Sequence, residues 1–403
     1  MNGMQACSSR LCQPLAIAML LLAGVPVPAQ APSIDPADDE SVYSSAGAGI
    51  LFWTPAQQVA GYRNMEKIAP FRTIKAGDHV YPLPYERVDL SDMQFDFEDA
   101  VMTTDEYFDK QSVAGLLVIR DGKIAYERYG LGNDENSRWI SFSVAKSVVS
   151  MLVGAAIKDG YIKSIDEKVT DYLPRLKGSA YEQSSIGNIL QMSSGVQWNE
   201  DYADPESDVS RATWQTVALY EYLHEKARDF APGTVFNYNT AETNLVGTLL
   251  RSAIGNNLAT YLTEKIWQPF GMESDAFWQL TEPGGGEFGG CCINATLRDY
   301  GRIGLFALHN GQLADGTGVL PDDWLTQSTS SSQGNAGYGY LWWLYGDGKF
   351  AARGIFGQAI YIDPGQNVVI ALHSARPVAS DPFDKGLQHA LFVALASAVS
   401  DGP

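Results

Sequence analysis

Basic residues are scarce in this sequence. Lysine and arginine number 28 against 47 aspartates and glutamates, for a formal net charge of −19. The acid is spread along the chain and not gathered in a tail. That balance argues against nucleic acid or an anionic membrane as a partner. Histidine is rarer still, five in 403 residues, and no H-E-x-x-H or paired Cys/His spacing occurs. No metal and no cofactor is therefore expected. A Gly-x-Ser-x-Gly nucleophile turn is absent as well. Of the four cysteines, Cys7 and Cys12 lie near the N-terminus, while Cys291 and Cys292 are adjacent. Neighbouring cysteines rarely meet disulfide geometry, so buried reduced thiols are expected and no disulfide framework. The one sustained apolar run near a chain end, Leu15–Val25, is too short to span a bilayer.

That run instead reads as the centre of a secretory signal over residues 1–31. Arg10 precedes it and Ala29-Gln30-Ala31 supplies an A-x-A cleavage site. Cys12 stands before the run, which speaks against a lipoprotein anchor. The mature chain is expected to be periplasmic or secreted after cleavage near Ala31, with no stable membrane anchor. With 45% hydrophobic residues it can bury a large core.

What is present centres on Ser143-Val144-Ala145-Lys146, the only Ser-x-x-Lys in the chain. It opens a stretch apolar nearly all round, through Val148, Val149, Met151, Leu152 and Val153 to Ile157. A helix without a polar face is a buried helix. Ser143 stands where an N-cap belongs, and Gly160 follows as a stop signal. One turn brings both side chains to the same side. Desolvation lowers a buried lysine's pKa, and a neutral amine beside a hydroxyl is a base beside its nucleophile. The competing reading is a capping serine and a lysine that snorkels to water.

Around this stretch, Gly115–Tyr129 reads as two strands joined by Asp121-Gly122, a hairpin signal. Short helices are expected near 55–66 and 104–110. Residues 160–335 read as helices and loops. Strands return at Tyr338–Tyr345, Phe350–Gly354, Gln358–Ile362 and Val368–His373, before an amphipathic helix over Phe383–Val399. The expected fold is α+β: one antiparallel sheet built from both chain ends, flanked by helices, with a mostly helical insertion. The boundaries drawn are 1–31 for the signal, 32–110 for an extension packing on the body, 111–160 with 336–403 for the sheet domain, and 161–335 for the helical domain.

Tyr238 lies between a turn, Ala231-Pro232-Gly233-Thr234, and a helix start. Its phenol is placed to move a proton, as a base if lysine neighbours lower its pKa; the plainer reading is a core tyrosine. Gly354 and Gly357 break a strand where a ligand or a second backbone can approach closely, or where a bulge forms. Such an edge can offer a backbone N–H to an oxyanion.

The order Ser-x-x-Lys, then Tyr238-Asn239-Thr240, then a glycine-bearing strand before a C-terminal helix resembles the penicillin-recognising serine hydrolases. That family holds class C β-lactamases, D,D-peptidases, esterases and 6-aminohexanoate-dimer hydrolases. The resemblance runs over roughly 110–400 and includes Asp171-Tyr172-Leu173-Pro174, Leu190-Gln191-Met192-Ser193-Ser194-Gly195 and Ala295-Thr296-Leu297-Arg298-Asp299. The Gly354-Ile355-Phe356-Gly357-Gln358 run and Asn199–Pro205 look most similar to the 6-aminohexanoate-dimer hydrolase and carboxylesterase branch.

The resemblance implies a β-lactamase/transpeptidase-like fold and an acyl-enzyme on Ser143. It implies Lys146 as base, Tyr238 as proton shuttle, and the N–H groups of Ser143 and Ile355 as oxyanion hole. Tyr202, Thr240 and Gly354 are the implied substrate contacts, and a small ester or amide the implied substrate. β-Lactamase, D,D-peptidase and a catalytically silent penicillin-binding-like protein remain as alternatives. The strand departs from the family's Lys-Thr/Ser-Gly pattern, carrying Ala352-Arg353-Gly354. Strand alternation then predicts that Arg353 faces away from the position the family's lysine would use, and β-lactams are expected to be poor substrates. If Lys349 aligns instead, the oxyanion donor moves to Ala352.

Overall fold

The computed structural model describes residue 32, residues 34–46 and residues 49–400. The signal segment expected over 1–31 lies outside the described residues. Twelve strands occur among them. They are β1 (Phe71–Ile74), β2 (Gln94–Phe97), β3 (Ala100–Thr103), β4 (Val113–Arg120), β5 (Lys123–Tyr129), β6 (Arg138–Ile140), β7 (Ala276–Gln279), β8 (Ile293–Thr296), β9 (Trp343–Gly346), β10 (Lys349–Arg353), β11 (Ala359–Asp363) and β12 (Val368–Ser374).

The large sheet has the order β5-β4-β12-β11-β10-β9 and every pairing is antiparallel. Strands from both chain ends thus meet at β4 and β12. The β4–β5 turn has Asp121 at φ 50° and Gly122 at φ 74°, the left-handed pair that a two-residue hairpin requires. Residue alternation sorts the two faces. Leu117, Ile119, Ile360, Ile362, Val369 and Ala371 belong to one core, shared with the Val144–Lys158 helix and the Leu297–Leu308 helix. Leu116, Val118, Tyr361, Ile370 and Leu372 belong to another, closed by the Pro382–Ser400 helix through Leu387, Leu391 and Leu395.

A second sheet, β1-β7-β8-β6, draws two strands from the stretch that reads as helical in sequence. Four-residue strands carry too few alternating positions to announce themselves. The strand expected over Tyr338–Tyr345 begins only at Trp343. Leu341 adopts φ 62° and breaks the run, leaving Tyr338 with an isolated bridge to Trp343.

The Val144–Lys158 helix is buried from Val144 through Ala156, as its lack of a polar face requires. Gly160 follows at φ 81°. Before it, the helix Pro55–Tyr62 packs Val59 and Tyr62 against Trp139 and Phe142. The N-terminal segment therefore bears on the residue immediately before Ser143. Among the described residues no helix is long and apolar enough to cross a membrane.

Candidate active site

Ser143 is the last residue before its helix, and its hydroxyl makes no capping bond. It faces Lys146, whose Nζ lies 3.1 Å from Ser143 Oγ. Lys146 does not snorkel; it is 1% exposed. Burial pulls its amine down to about 7, against a smaller opposing pull from the Glu200 carboxylate. Its other partners are Thr240 Oγ1 at 3.1 Å and the Gly290 carbonyl at 2.6 Å.

Local structure explains how these groups converge. β6 pairs with β8, and the pairing continues as Ser141 N donates to Ile293 O at 2.8 Å while Ile293 N donates to Ser141 Oγ at 2.9 Å. This sets the 290–292 loop beside the nucleophile. Phe142 adopts φ 43°, a left-handed conformation uncommon for an aromatic residue and frequent at functional turns. Gly290 must be glycine, because a Cβ would sit 2.7 Å from Thr240 Cγ2 and 2.8 Å from Thr240 O.

Cys291 and Cys292, expected as free thiols, are joined to each other as a vicinal disulfide. Their peptide bond is cis.

Tyr238 precedes the Thr240–Ile254 helix, which Asn239 caps by accepting from Glu242 N at 3.1 Å. The Tyr238 ring stacks on Trp343 with centroids 5.8 Å apart and meets Tyr338 edge-on. Lys146 Nζ lies 5.3 Å from the ring centroid. Burial and Glu200 raise the phenol's pKa, and the Ser143 hydroxyl beside it partly offsets that rise. Tyr238 is thus a neutral phenol, able to donate a proton. Burial and Glu200, and not a lysine neighbour, set the direction of the shift, so the condition under which it would act as a base, a pKa lowered by lysine, is not met.

The Ile355 segment follows β10. Gly354 N donates to Gln358 O at 2.7 Å and Phe356 N to Gln358 Oε1 at 3.2 Å, which closes the turn. A Cβ on Gly354 would lie 2.6 Å from Gln358 Oε1 and 2.7 Å from the Ser141 carbonyl, so glycine lets this turn reach the nucleophile segment. Phe142 and Phe356 pack with ring centroids 5.0 Å apart. Among the described residues, the N–H groups of Ser143 and Ile355 have no protein acceptor. Ala352 is mid-strand, paired with Ile360 and 1% exposed. Lys349 begins β10 at the end remote from Gly354 and stands 3.6 Å from Asp347.

Two cavities flank this centre. The larger, about 600 Å³, includes Ser143, Thr240, Tyr202 and Ile355 in its lining. The smaller, about 310 Å³, includes Tyr238, Tyr202, Gly354, Ile355 and Arg353. Arg353 lies on the face opposite Ala352, as strand alternation predicts, yet it still lines the smaller cavity. It shares a face with Ala351, toward the C-terminal helix, and the smaller cavity opens past the end of β10 on that side, where Lys385 also lines it.

Sequence reasoning missed Glu200 as a participant. Its Oε1 accepts from Tyr202 Oη at 2.6 Å and from Thr240 Oγ1; its Oε2 accepts from Thr240 N at 3.0 Å and from Trp198 Nε1. Thr240 thereby links Glu200 to Lys146, and Tyr202 lies on the same carboxylate. Nothing distinguishes Glu200 from other loop acids in the sequence except its place two residues before Tyr202. Gln358, Gln388 and Asn244 were also missed. Gln388 Nε2 donates to Gly357 O at 2.7 Å, and Asn244 Oδ1 accepts from Gly289 N at 2.9 Å; both hold loops of the site.

Comparison with known proteins agrees with this geometry. A solved structure from Bacillus anthracis, provisionally assigned as a 6-aminohexanoate-dimer hydrolase, superposes with a TM-score of 0.77 at 22% identity, covering 86% of this chain and 95% of that one. A family VIII carboxylesterase superposes with a TM-score of 0.55 at 16% identity, covering 71% and 93%. In sequence, the 6-aminohexanoate-dimer hydrolase of Paenarthrobacter ureafaciens is 28% identical over 309 residues, 70% of this chain and 78% of that protein. The family model described as Beta-lactamase matches residues 103–394. That span holds the Ser143–Lys146 pair, Tyr238 and the Ile355 turn, and with it the chain belongs to the Beta-lactamase family of serine hydrolases.

Proposed function

We propose that this is an exported serine hydrolase that cleaves small amides or esters through an acyl-enzyme on Ser143, similar in chemistry to the 6-aminohexanoate-dimer hydrolases. The observation that carries the reading is the Lys146 amine, buried and about half neutral near pH 7, beside the Ser143 hydroxyl. A neutral amine has two N–H donors and one lone pair. Gly290 O and Thr240 Oγ1 take the two donors, which leaves the lone pair for the Ser143 proton. Ser143 Oγ then attacks the carbonyl. The N–H groups of Ser143 and Ile355 receive the oxyanion. Tyr238 protonates the leaving nitrogen or oxygen, and water hydrolyses the ester on Ser143. Export is supported by the apolar run with its A-x-A site.

The test is labelling with a fluorophosphonate together with turnover of p-nitrophenyl esters. Both are expected in the mature protein and absent in Ser143→Ala. A Ser143→Ala protein that keeps its turnover would falsify the assignment.

A further inference from the structure

The two cavities differ in kind. The larger is walled by Ile50, Leu51, Trp53, Phe142, Trp214 and Phe288, and among the described residues no charged side chain lines it. Part of that wall comes from the N-terminal segment, outside the residues that match the family. The smaller cavity carries Glu200, Asp201, Arg353 and Lys385. Its acids are occupied or exposed. Both Glu200 oxygens are taken by Tyr202, Thr240 and Trp198, while Asp201 is exposed and accepts from Ala203 N at 2.9 Å.

Its cations are not matched. Among the described residues, neither Arg353 nor Lys385 is in an ion pair. Arg353 donates to Tyr345 Oη at 2.8 Å and, at 3.5 Å, to the Lys385 carbonyl. Behind them Arg376, 3% exposed, has its guanidinium on Tyr107 Oη with no carboxylate partner among the described residues. Arg353 and Lys385 are half-buried and Arg376 is buried; cations withdrawn from water are ordinarily paired, and this chain has acids in large excess. Lys385 registers the mismatch: burial, then Arg353 and Arg376, pull its amine down to about 8, with Asp381 opposing.

We infer that the substrates are N-acyl amino acids: the uncharged acyl group sits in the larger cavity, and Arg353 with Lys385 holds the carboxylate of the amino acid that leaves. This deepens the hydrolase reading and rests on it. Tyr238 fixes the direction. It lines the smaller cavity and protonates the leaving nitrogen, so the leaving group occupies that side. The balance is a hydrolysis. The C–O bond to Ser143 forms as the serine proton passes to Lys146. The amide C–N bond then breaks as Tyr238 protonates the nitrogen, Tyr238 recovers a proton from Lys146, and the free amino acid leaves. Water then attacks the ester on Ser143, giving its proton back to the serine oxygen, and releases an apolar carboxylic acid. A 6-aminohexanoate dimer would put an ammonium into the larger cavity, where no carboxylate of the described residues meets it.

The test uses the full mature chain and three amides: N-octanoyl-6-aminohexanoate, the same compound with its carboxylate converted to a methylamide, and the linear 6-aminohexanoate dimer. The free acid is expected to exceed the methylamide in kcat/KM by roughly ten- to a hundredfold, the worth of a charge-assisted hydrogen bond. It is expected to exceed the dimer by about tenfold or more, because an unpaired ammonium is costly to bury. In the Arg353→Gln/Lys385→Gln protein the acid-to-methylamide ratio should fall toward one, and Arg353→Lys should restore part of it. The ratio is internal to each protein, so partial misfolding does not mimic it. With p-nitrophenyl ester turnover present, a wild-type ratio near one, a ratio that survives the double substitution, or a preference for the dimer overturns the inference and leaves the hydrolase standing. Absence of ester turnover and of fluorophosphonate labelling sinks both.

Discussion

Between pH 6 and 9 the buried amine of Lys146 should change state, and activity should follow it. With a pKa of about 7, the amine is about three-quarters neutral at pH 7.5, against roughly one part in a thousand for an ordinary lysine near 10.4. Desolvation thus raises the supply of base several hundredfold. The expected profile of kcat/KM for p-nitrophenyl butyrate, corrected for spontaneous hydrolysis, rises about tenfold per pH unit below 7 and levels above it. Lys146→Arg should lose several orders of magnitude across the range, because guanidinium keeps its proton. The same burial carries a stability signature. The folded pKa lies below the unfolded one, so between about 7 and 10.5 the unfolded chain binds a proton that the folded chain does not. Stability contributed by this group therefore rises with pH through that window and is lowest below it. The total is about 5 kcal/mol as an order of magnitude. Lys146→Met, which carries no proton, should be inactive, and its Tm relative to wild type should be higher at pH 6.5 than at pH 9. A flat rate profile from 5.5 to 9, or an inflection only near 10, would refute the assignment of Lys146 as a neutral base.

Three further outcomes are expected. Tyr238→Phe should reduce turnover of amides far more than of p-nitrophenyl esters, whose leaving group departs without a proton; equal losses would remove Tyr238 from that role. Glu200→Gln removes the charge that supports protonated Lys146, so the acid limb of the rate profile should move to lower pH, and an unmoved limb would show that the lysine does not feel this carboxylate. Gly354→Ala pushes a methyl group against Ser141 O and Gln358 Oε1. It should lower stability by about 1–3 kcal/mol and cut ester turnover more than tenfold, and a protein with normal Tm and rate would show that the approach is not tight.

Ser143, Lys146 and Tyr238 were legible because their chemistry is tied to local pattern: one helical turn, one apolar helix, one loop before a helix. The hairpin at Asp121-Gly122 and the closing helix announced themselves through turn residues and periodicity. Glu200 did not, since its role comes from tertiary contact with Thr240, and an acid in an acidic chain gives no signal. The face of Arg353 was legible from alternation; that a cavity opens past the end of the strand on that side was not, because alternation says nothing of where a cavity lies along the strand. The strands β7 and β8 were too short to show a period. The adjacent cysteines were judged on how rarely neighbours meet disulfide geometry, and this pair is an exception to that rule.

The wall formed by Ile50, Leu51 and Trp53 bears on how such a protein can diversify. It carries substrate-facing surface but none of the residues that move protons, and it precedes the matched family span in one continuous stretch. A single crossover in the loop before β1 would give the same catalytic apparatus a differently shaped acyl pocket. One part of the acyl wall is thus carried on a length of chain separate from the residues that move protons, while the rest of the wall shares their span.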